Sequence, residues 1–224
     1  MNLRRLLLQR EVRLLMPPVL VAGLLAVFLK LADDIREGES HAYDTAILLA
    51  FRTSDPIGPW WFETLMTDLT ALGGFAVLIL FSLIAIGYLL VLRQHVAAVL
   101  VVVSGLGGTL LNNLLKYGFD RPRPDLVAHL TEVHTLSFPS GHAMLSAVIY
   151  LTLGVLLARS QKTRALKVYI LATAILLTVL VGISRIYLGV HWPSDVLAGW
   201  CLGGAWAIAC VWLARYFGGR TPTR

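Results

Sequence analysis

Six apolar runs, near residues 14–32, 71–92, 96–115, 143–158, 168–188 and 196–217, limit what this chain can fold into more than any other feature. A helix needs about 20 apolar residues to cross roughly 30 Å of hydrocarbon, where no water pairs with open backbone groups. The runs therefore read as six transmembrane helices. At 57% hydrophobic residues and a mean hydropathy of +0.74, 224 residues could not hide this much apolar surface inside a water-soluble fold. The expected architecture is all-α: one polytopic membrane domain over 1–224, a six-helix bundle with small residues such as Gly105, Gly107, Gly108, Gly199 and Gly203 at close helix contacts.

The flanks are read on the same basis. Pro17 and Pro18 fall near the start of the first run, where proline is tolerated, and no convincing A-x-A site follows, so that run reads as a retained anchor. The basic, leucine-rich segment 1–13 reads as a cytoplasmic interfacial helix. Segment 33–70 is acidic at DDIREGESHAYD and aromatic at Trp60, Trp61 and Phe62; it reads as an outward interfacial anchor, with cover of the lipid's entrance as the alternative. Cys201 and Cys210 share one run, and a helix would hold them about 13 Å apart along its axis, too far for a disulfide.

Lysine and arginine counts give an orientation. Twelve cations flank one side (Arg4, Arg5, Arg10, Arg13, Arg93, Arg159, Lys162, Arg164, Lys167, Arg215, Arg220 and Arg224), against six on the other (Arg36, Arg52, Lys116, Arg121, Arg123 and Arg185). The positive-inside rule then puts both termini in the cytoplasm, in a multi-pass protein of the cell inner membrane. Because the basic residues fall in gaps between apolar runs and form no continuous surface, the net charge of +6 does not point to nucleic acid.

Against that rule stands KYGFDRPRPD at 116–125, with five charges in a chain that is only 14% charged. Cations concentrated where the topology disfavours them suggest function. Two further segments at outward helix ends carry similar chemistry, FPSGH at 138–142 and SRIYLGVHWPSD at 184–195. If the helices bundle, Lys116, Arg123 and Arg185 supply three fixed positive charges, suited to phosphate oxygens. Ser140 and Gly141 would offer backbone N–H groups at a helix N-terminus, with Gly141 letting the backbone approach an anion. Pro122 and Pro124 stiffen the loop that holds Arg123.

His191 and Asp195, four residues apart with Pro193 at a plausible first helical position, let the carboxylate hold one ring nitrogen while the other faces the site. A histidine so held can act as a nucleophile, and His142 could give a proton to the departing oxygen. With no carboxylate cluster for magnesium, this set fits phosphoryl transfer without a metal or cofactor.

These segments, residues 116 to 195, match in order K-x6-R-P, P-S-G-H and S-R-x5-H-x3-D: Lys116 with Arg123-Pro124, Pro139 to His142, and Ser184-Arg185 with His191 and Asp195. In this the chain resembles the type 2 phosphatidic acid phosphatase superfamily. The resemblance implies that His191 attacks phosphorus, Asp195 orients it and His142 protonates the leaving group. It also implies that Lys116, Arg123, Ser140, Gly141 and Arg185 hold phosphate oxygens. Membrane members resembling this chain hydrolyse lipid phosphates and diphosphates, and undecaprenyl diphosphate in a bacterial carrier cycle is the substrate expected first. Phosphatidylglycerophosphate, phosphatidic acid, transfer to an acceptor lipid, and lipid-anion binding or transport without turnover are the alternatives.

The remaining polar residues carry blander expectations. Arg121 reads as an electrostatic neighbour or headgroup contact ahead of a direct phosphate contact. Asp120 and Asp125 should pair with nearby arginines, and His41, His95, His129 and His134 should be solvated or interfacial.

Overall fold

The structure is a computed structural model that describes residues 3–38, 41–52, 58–133 and 135–218. These form eight helices: α1 (Leu3–Glu37), α2 (His41–Phe51), α3 (Trp60–Leu72), α4 (Phe75–Val91), α5 (His95–Phe119), α6 (Gly141–Ser160), α7 (Arg164–Tyr187) and α8 (Pro193–Gly218). Five are long and apolar enough to cross a bilayer, and a sixth span arises if α3 and α4, bent by 47° at their junction, are taken together.

Helix α6 is the hub. It packs on α4, α5, α7 and α8, while α1 covers α8 and α3 lies on α7. Its buried positions, among them Ala143, Met144, Ala147, Val148 and Thr152, surround the helix instead of forming a stripe, as expected of a helix enclosed by others. Close packing depends on small residues. A Cβ at Gly203 would lie 2.4 Å from the Met144 carbonyl oxygen, and one at Gly199 2.8 Å from the Ser140 carbonyl oxygen, so α8 meets α6 backbone to side.

Three sequence expectations change. Helix α1 runs unbroken from Leu3 with Pro17 and Pro18 inside it, so residues 3–13 are continuous with the helix of the first span and form no separate helix. The second run, expected at 71–92, is not one straight helix: it is divided between the end of α3 and α4, with Gly73 and Gly74 at the bend. Segment 33–70 is more than an anchor, because α2 carries the fully buried Asp44, and Arg52 just beyond α2 is fully buried too. Trp60 and Trp61 do remain exposed, as interfacial aromatics should.

The three signature segments occupy one end of the bundle. Helix α5 stops at Asp120, whose left-handed φ of 44° turns the chain into a long connection; Asp tolerates this conformation better than most side chains. Helix α7 stops before Gly189, at φ 74°, where a Cβ would lie 2.8 Å from Val127. The two connections are tied to each other and to α8 by Leu130 N–H to the Leu188 carbonyl (3.1 Å), Ser137 N–H to Arg121 (3.0 Å) and Ser140 N–H to Asp195 (3.0 Å). Arg52 adds a clip, donating to the Ala128 carbonyl at 2.9 Å and the Tyr187 carbonyl at 3.3 Å.

The α6–α8 contact yields a stability test. Gly203→Ala should lower the thermal stability of the detergent-solubilised protein, at a cost of about 1–3 kcal/mol, because backbone must move to admit the methyl. Gly87→Ala, where a Cβ would meet nothing within 4 Å, should leave stability unchanged or raised.

Candidate active site

Four helix ends build the site. The last turn of α5 brings Lys116, the first turn of α6 brings Gly141 and His142, the last turn of α7 brings Arg185, and the turn into α8 brings His191 and Asp195. A cavity of about 370 Å³ lies among them, lined by Lys116, Arg123, Gly141, His142, Arg185 and His191 together with Thr70 of α3 and residues of the 120–140 connection. Six of the eight expected site residues thus face one space. The other two lie behind it: Ser140 and Asp195 are fully buried.

Each cation is aimed by a neutral partner. Lys116 donates to the Leu136 carbonyl at 2.5 Å. Arg123 donates from Nε to the Thr135 carbonyl (2.7 Å) and from Nη1 to the Val190 carbonyl (2.5 Å). Arg185 donates from Nη1 to the Thr70 hydroxyl at 2.9 Å. Because no carboxylate takes these bonds, the positive charge stays available to an anion in the cavity. Arg185 Nε, on a cavity-lining residue, is buried without a hydrogen-bond partner among the described residues, leaving a donor for a ligand; Ser140 Oγ is also unpaired but lies behind the lining. Ser140 therefore stands as the N-cap of α6 without using its hydroxyl to cap it.

The tautomer of His191 follows from its neighbours. Its Nε2 lies 3.2 Å from Arg123 Nη1, and a guanidinium only donates, so Nε2 is the unprotonated nitrogen and its lone pair faces Arg123 at the cavity wall. The proton then sits on Nδ1, 3.4 Å from Asp195 Oδ2 and 3.5 Å from Ser137 Oγ. Burial, reinforced by the charges of Arg123, Arg185 and Lys116, holds the ring well below the usual histidine pKa, so it is neutral. A neutral, oriented imidazole is equipped to attack an electrophile once a substrate oxygen draws Arg123 off its unprotonated nitrogen.

Asp195 is held from several sides. Its Oδ2 accepts from Ser137 Oγ (2.5 Å) and Trp192 N–H (2.9 Å), and its Oδ1 accepts from Arg121 Nη1 (2.6 Å). Arg121 is thus a buried ion-pair partner of Asp195, contacting neither cavity nor headgroup region; the electrostatic part of its expected role holds and the headgroup contact does not. Its second partner is Asp44 of α2, at 2.7 Å.

Sequence reasoning missed Asp44, Ser137, Thr70 and Thr135. Asp44 left one trace, as the lone carboxylate within the apolar turns of HAYDTAILLAF; a serine or threonine in a connection gives no such signal. Neither Asp120 nor Asp125 forms an ion pair among the described residues. His129 caps the Pro124 carbonyl at 2.7 Å, stiffening the loop, and His134 lies outside the described residues. Among the described residues no three or more His, Cys, Asp or Glu side chains are grouped to hold a metal ion.

Comparison with known proteins supplies a family and relatives. A family model described as the PAP2 superfamily matches residues 96–218. Phosphatidylglycerophosphatase B of Bacillus subtilis is 37% identical over 186 residues, 81% of this chain and 88% of that protein. An undecaprenyl-diphosphatase of Sulfolobus acidocaldarius is 36% identical over 116 residues, 50% of this chain and 52% of its own length. The crystal structure of a transmembrane PAP2 type phosphatidylglycerolphosphate phosphatase from Bacillus subtilis superposes with a TM-score of 0.80 at 31% identity, covering 91% of this chain and 98% of that one.

The depressed basicity of His191 has a kinetic consequence. The His191 ring of the free protein stays deprotonated as pH falls through about 6.5, the ordinary histidine value, so kcat/KM should not fall there on its account. A pH profile whose acid limb is centred at about 6.5, and which shifts when Arg123 is replaced by Gln, would instead assign His191 an unperturbed pKa.

Proposed function

We propose that this chain, which belongs to the PAP2 superfamily and hydrolyses lipid phosphates, takes phosphatidylglycerophosphate as its substrate and works through a phosphohistidine on His191. The observation that carries the mechanism is the unprotonated Nε2 of His191 at the wall of a cavity also lined by Lys116, Arg123 and Arg185, with Glu132 the one carboxylate among its lining residues. In the first step His191 Nε2 bonds to phosphorus, the bond from phosphorus to the lipid oxygen breaks, and His142 protonates that oxygen. In the second, water attacks phosphorus while His142 takes its proton, the N–P bond breaks and inorganic phosphate leaves. The three cations, with backbone N–H groups at the start of α6, balance charge on the equatorial oxygens in both steps. This binding and chemistry need no metal.

A lipid substrate is supported by what lies deeper in the bundle. A groove of about 320 Å³ between α4, α5 and α6 is lined by Phe75, Ile79, Leu83, Leu106, Leu145 and Ile149 among others. Its two hydroxyls, Ser82 and Thr109, are spent on carbonyls of their own helices, leaving a carbon surface. Leu145 is one turn along α6 from Gly141, which lines the phosphate cavity, so a headgroup there would leave its chains beside this groove.

Phosphatidylglycerophosphate is preferred because the relative matched over most of both chains and the matched crystal structure bear that specificity in their names. Undecaprenyl diphosphate, the substrate expected from sequence, is the second reading, favoured by the half-length match to an undecaprenyl-diphosphatase. We take the site end to face away from the cytoplasm. Its Arg52, Arg121 and Arg185 are buried in protein, whereas Arg93, Lys162, Arg164 and Lys167 at the other end are exposed, as cytoplasmic cations should be.

A substrate panel in sealed vesicles of known orientation tests the reading. Phosphatidylglycerophosphate presented on the non-cytoplasmic side should release free phosphate fastest, without an acceptor lipid, with activity kept in EDTA and lost to vanadate. Faster release from undecaprenyl diphosphate would transfer the assignment to the second reading. Dependence on an acceptor lipid or on magnesium would overturn the mechanism.

A further inference from the structure

We propose that Asp44 is a positioning residue of this reaction: by holding one edge of Arg121 it keeps Asp195 charged toward His191. The inference rests on the reading of His191 as nucleophile. Asp44 lies on α2, outside every signature segment, and is separated from its Ser194 partner by 150 residues of sequence. It is fully buried, and a carboxylate in such a place is costly unless paired and hydrogen-bonded.

Its partners account for that burial. Asp44 accepts from Arg121 Nη2 at 2.7 Å, from Ser194 N–H at 2.8 Å and from Ser194 Oγ at 2.5 Å. Arg121 reaches the other way, donating from Nη1 to Asp195 Oδ1 at 2.6 Å and to Ser194 Oγ at 2.7 Å. One guanidinium therefore stands between two buried carboxylates, with Ser194 bracing both links, and the chain continues to Asp195 Oδ2 and His191 Nδ1.

The charge count gives the arrangement its purpose. With His191 neutral, two carboxylates and one guanidinium leave a net negative charge behind the imidazole. When Nε2 attacks phosphorus the ring becomes cationic, and that negative charge stabilises it. Without Asp44, Arg121 would neutralise Asp195 alone, and its field would oppose the developing imidazolium. The geometry adds a constraint. The contact between His191 Nδ1 and Asp195 Oδ2 is already long, at 3.4 Å, so a carboxylate free to turn further toward Arg121 would lose it. A clamp that only fastened α2 to the bundle would need neither the second carboxylate nor the link to His191.

The test uses the full-length protein in detergent with a lipid phosphate it hydrolyses, each rate expressed per folded molecule. Asp44→Asn keeps the shape and the acceptor for Ser194 N–H but removes the charge. It should lower kcat by roughly 100-fold and leave KM within about twofold, the pattern of a lost transition-state interaction. Arg121→Gln should also lower kcat, and the double variant should lose no more than the worse single one, because both act along one path. Wild-type kcat in folded Asp44→Asn, or losses that multiply in the double variant, would overturn the proposal. Should Asp44→Asn fail to fold, Arg121→Lys keeps the cation but not the fork that bridges the two carboxylates; a roughly tenfold loss of kcat at constant KM supports the proposal, and an unchanged kcat overturns it. Turnover that persists in His191→Ala overturns the underlying reading and this proposal with it. Turnover lost in His191→Ala yet intact in Asp44→Asn overturns this proposal alone.

Discussion

A charge buried at the end of a helix bundle is stable only in company, and the positions of such charges here determine what surrounds them. The guanidinium of Arg121, wedged between Asp44 and Asp195, brings together α2, the α5–α6 connection and the first turn of α8. Without its carboxylates the connection loses the ion pairs that join it to α2 and α8; without the guanidinium two buried anions oppose each other. From Asp195 the same contact continues to the ring of His191.

The arginines at this end fall into two kinds. Arg121 and Arg52 face inward and spend their donors on protein, Arg121 on carboxylates and Arg52 on carbonyls of Ala128 and Tyr187. Arg123 and Arg185, with Lys116, take only neutral partners and face the cavity. Arg121 carries its counter-charge within the fold, whereas in the proposed mechanism Lys116, Arg123 and Arg185 meet theirs in the lipid phosphate. That division lets one small volume hold several cations without mutual repulsion dispersing them.

Much of this was legible in the sequence. Membrane spans followed from hydrophobic length, and the convergence of Lys116, Arg123, His142, Arg185 and His191 followed from three motifs at helix ends. What the sequence did not convey depends on distance in space. Arg121 and Arg123 sit two residues apart in one loop, and nothing local distinguishes the arginine that turns inward to α2 from the one that turns to the cavity. Asp44 lay in a stretch that reads as an interfacial anchor, because its partners are supplied by α8 and the α5–α6 connection. The bend at Gly73 and Gly74 was hidden for a similar reason. A Cβ at Gly73 would lie 2.3 Å from Val181 and 3.4 Å from His142, a crowding that only the packed α3, α6 and α7 create.

The central claim is that His191 carries the phosphoryl group between lipid and water. Rapid mixing with a lipid phosphate radiolabelled on phosphorus, followed by an alkaline quench and peptide mapping, examines it directly. A label stable in alkali, labile in acid and located on His191 is the expected result. Phosphate release with no covalent label at any time, or a label on a different residue, would contradict it.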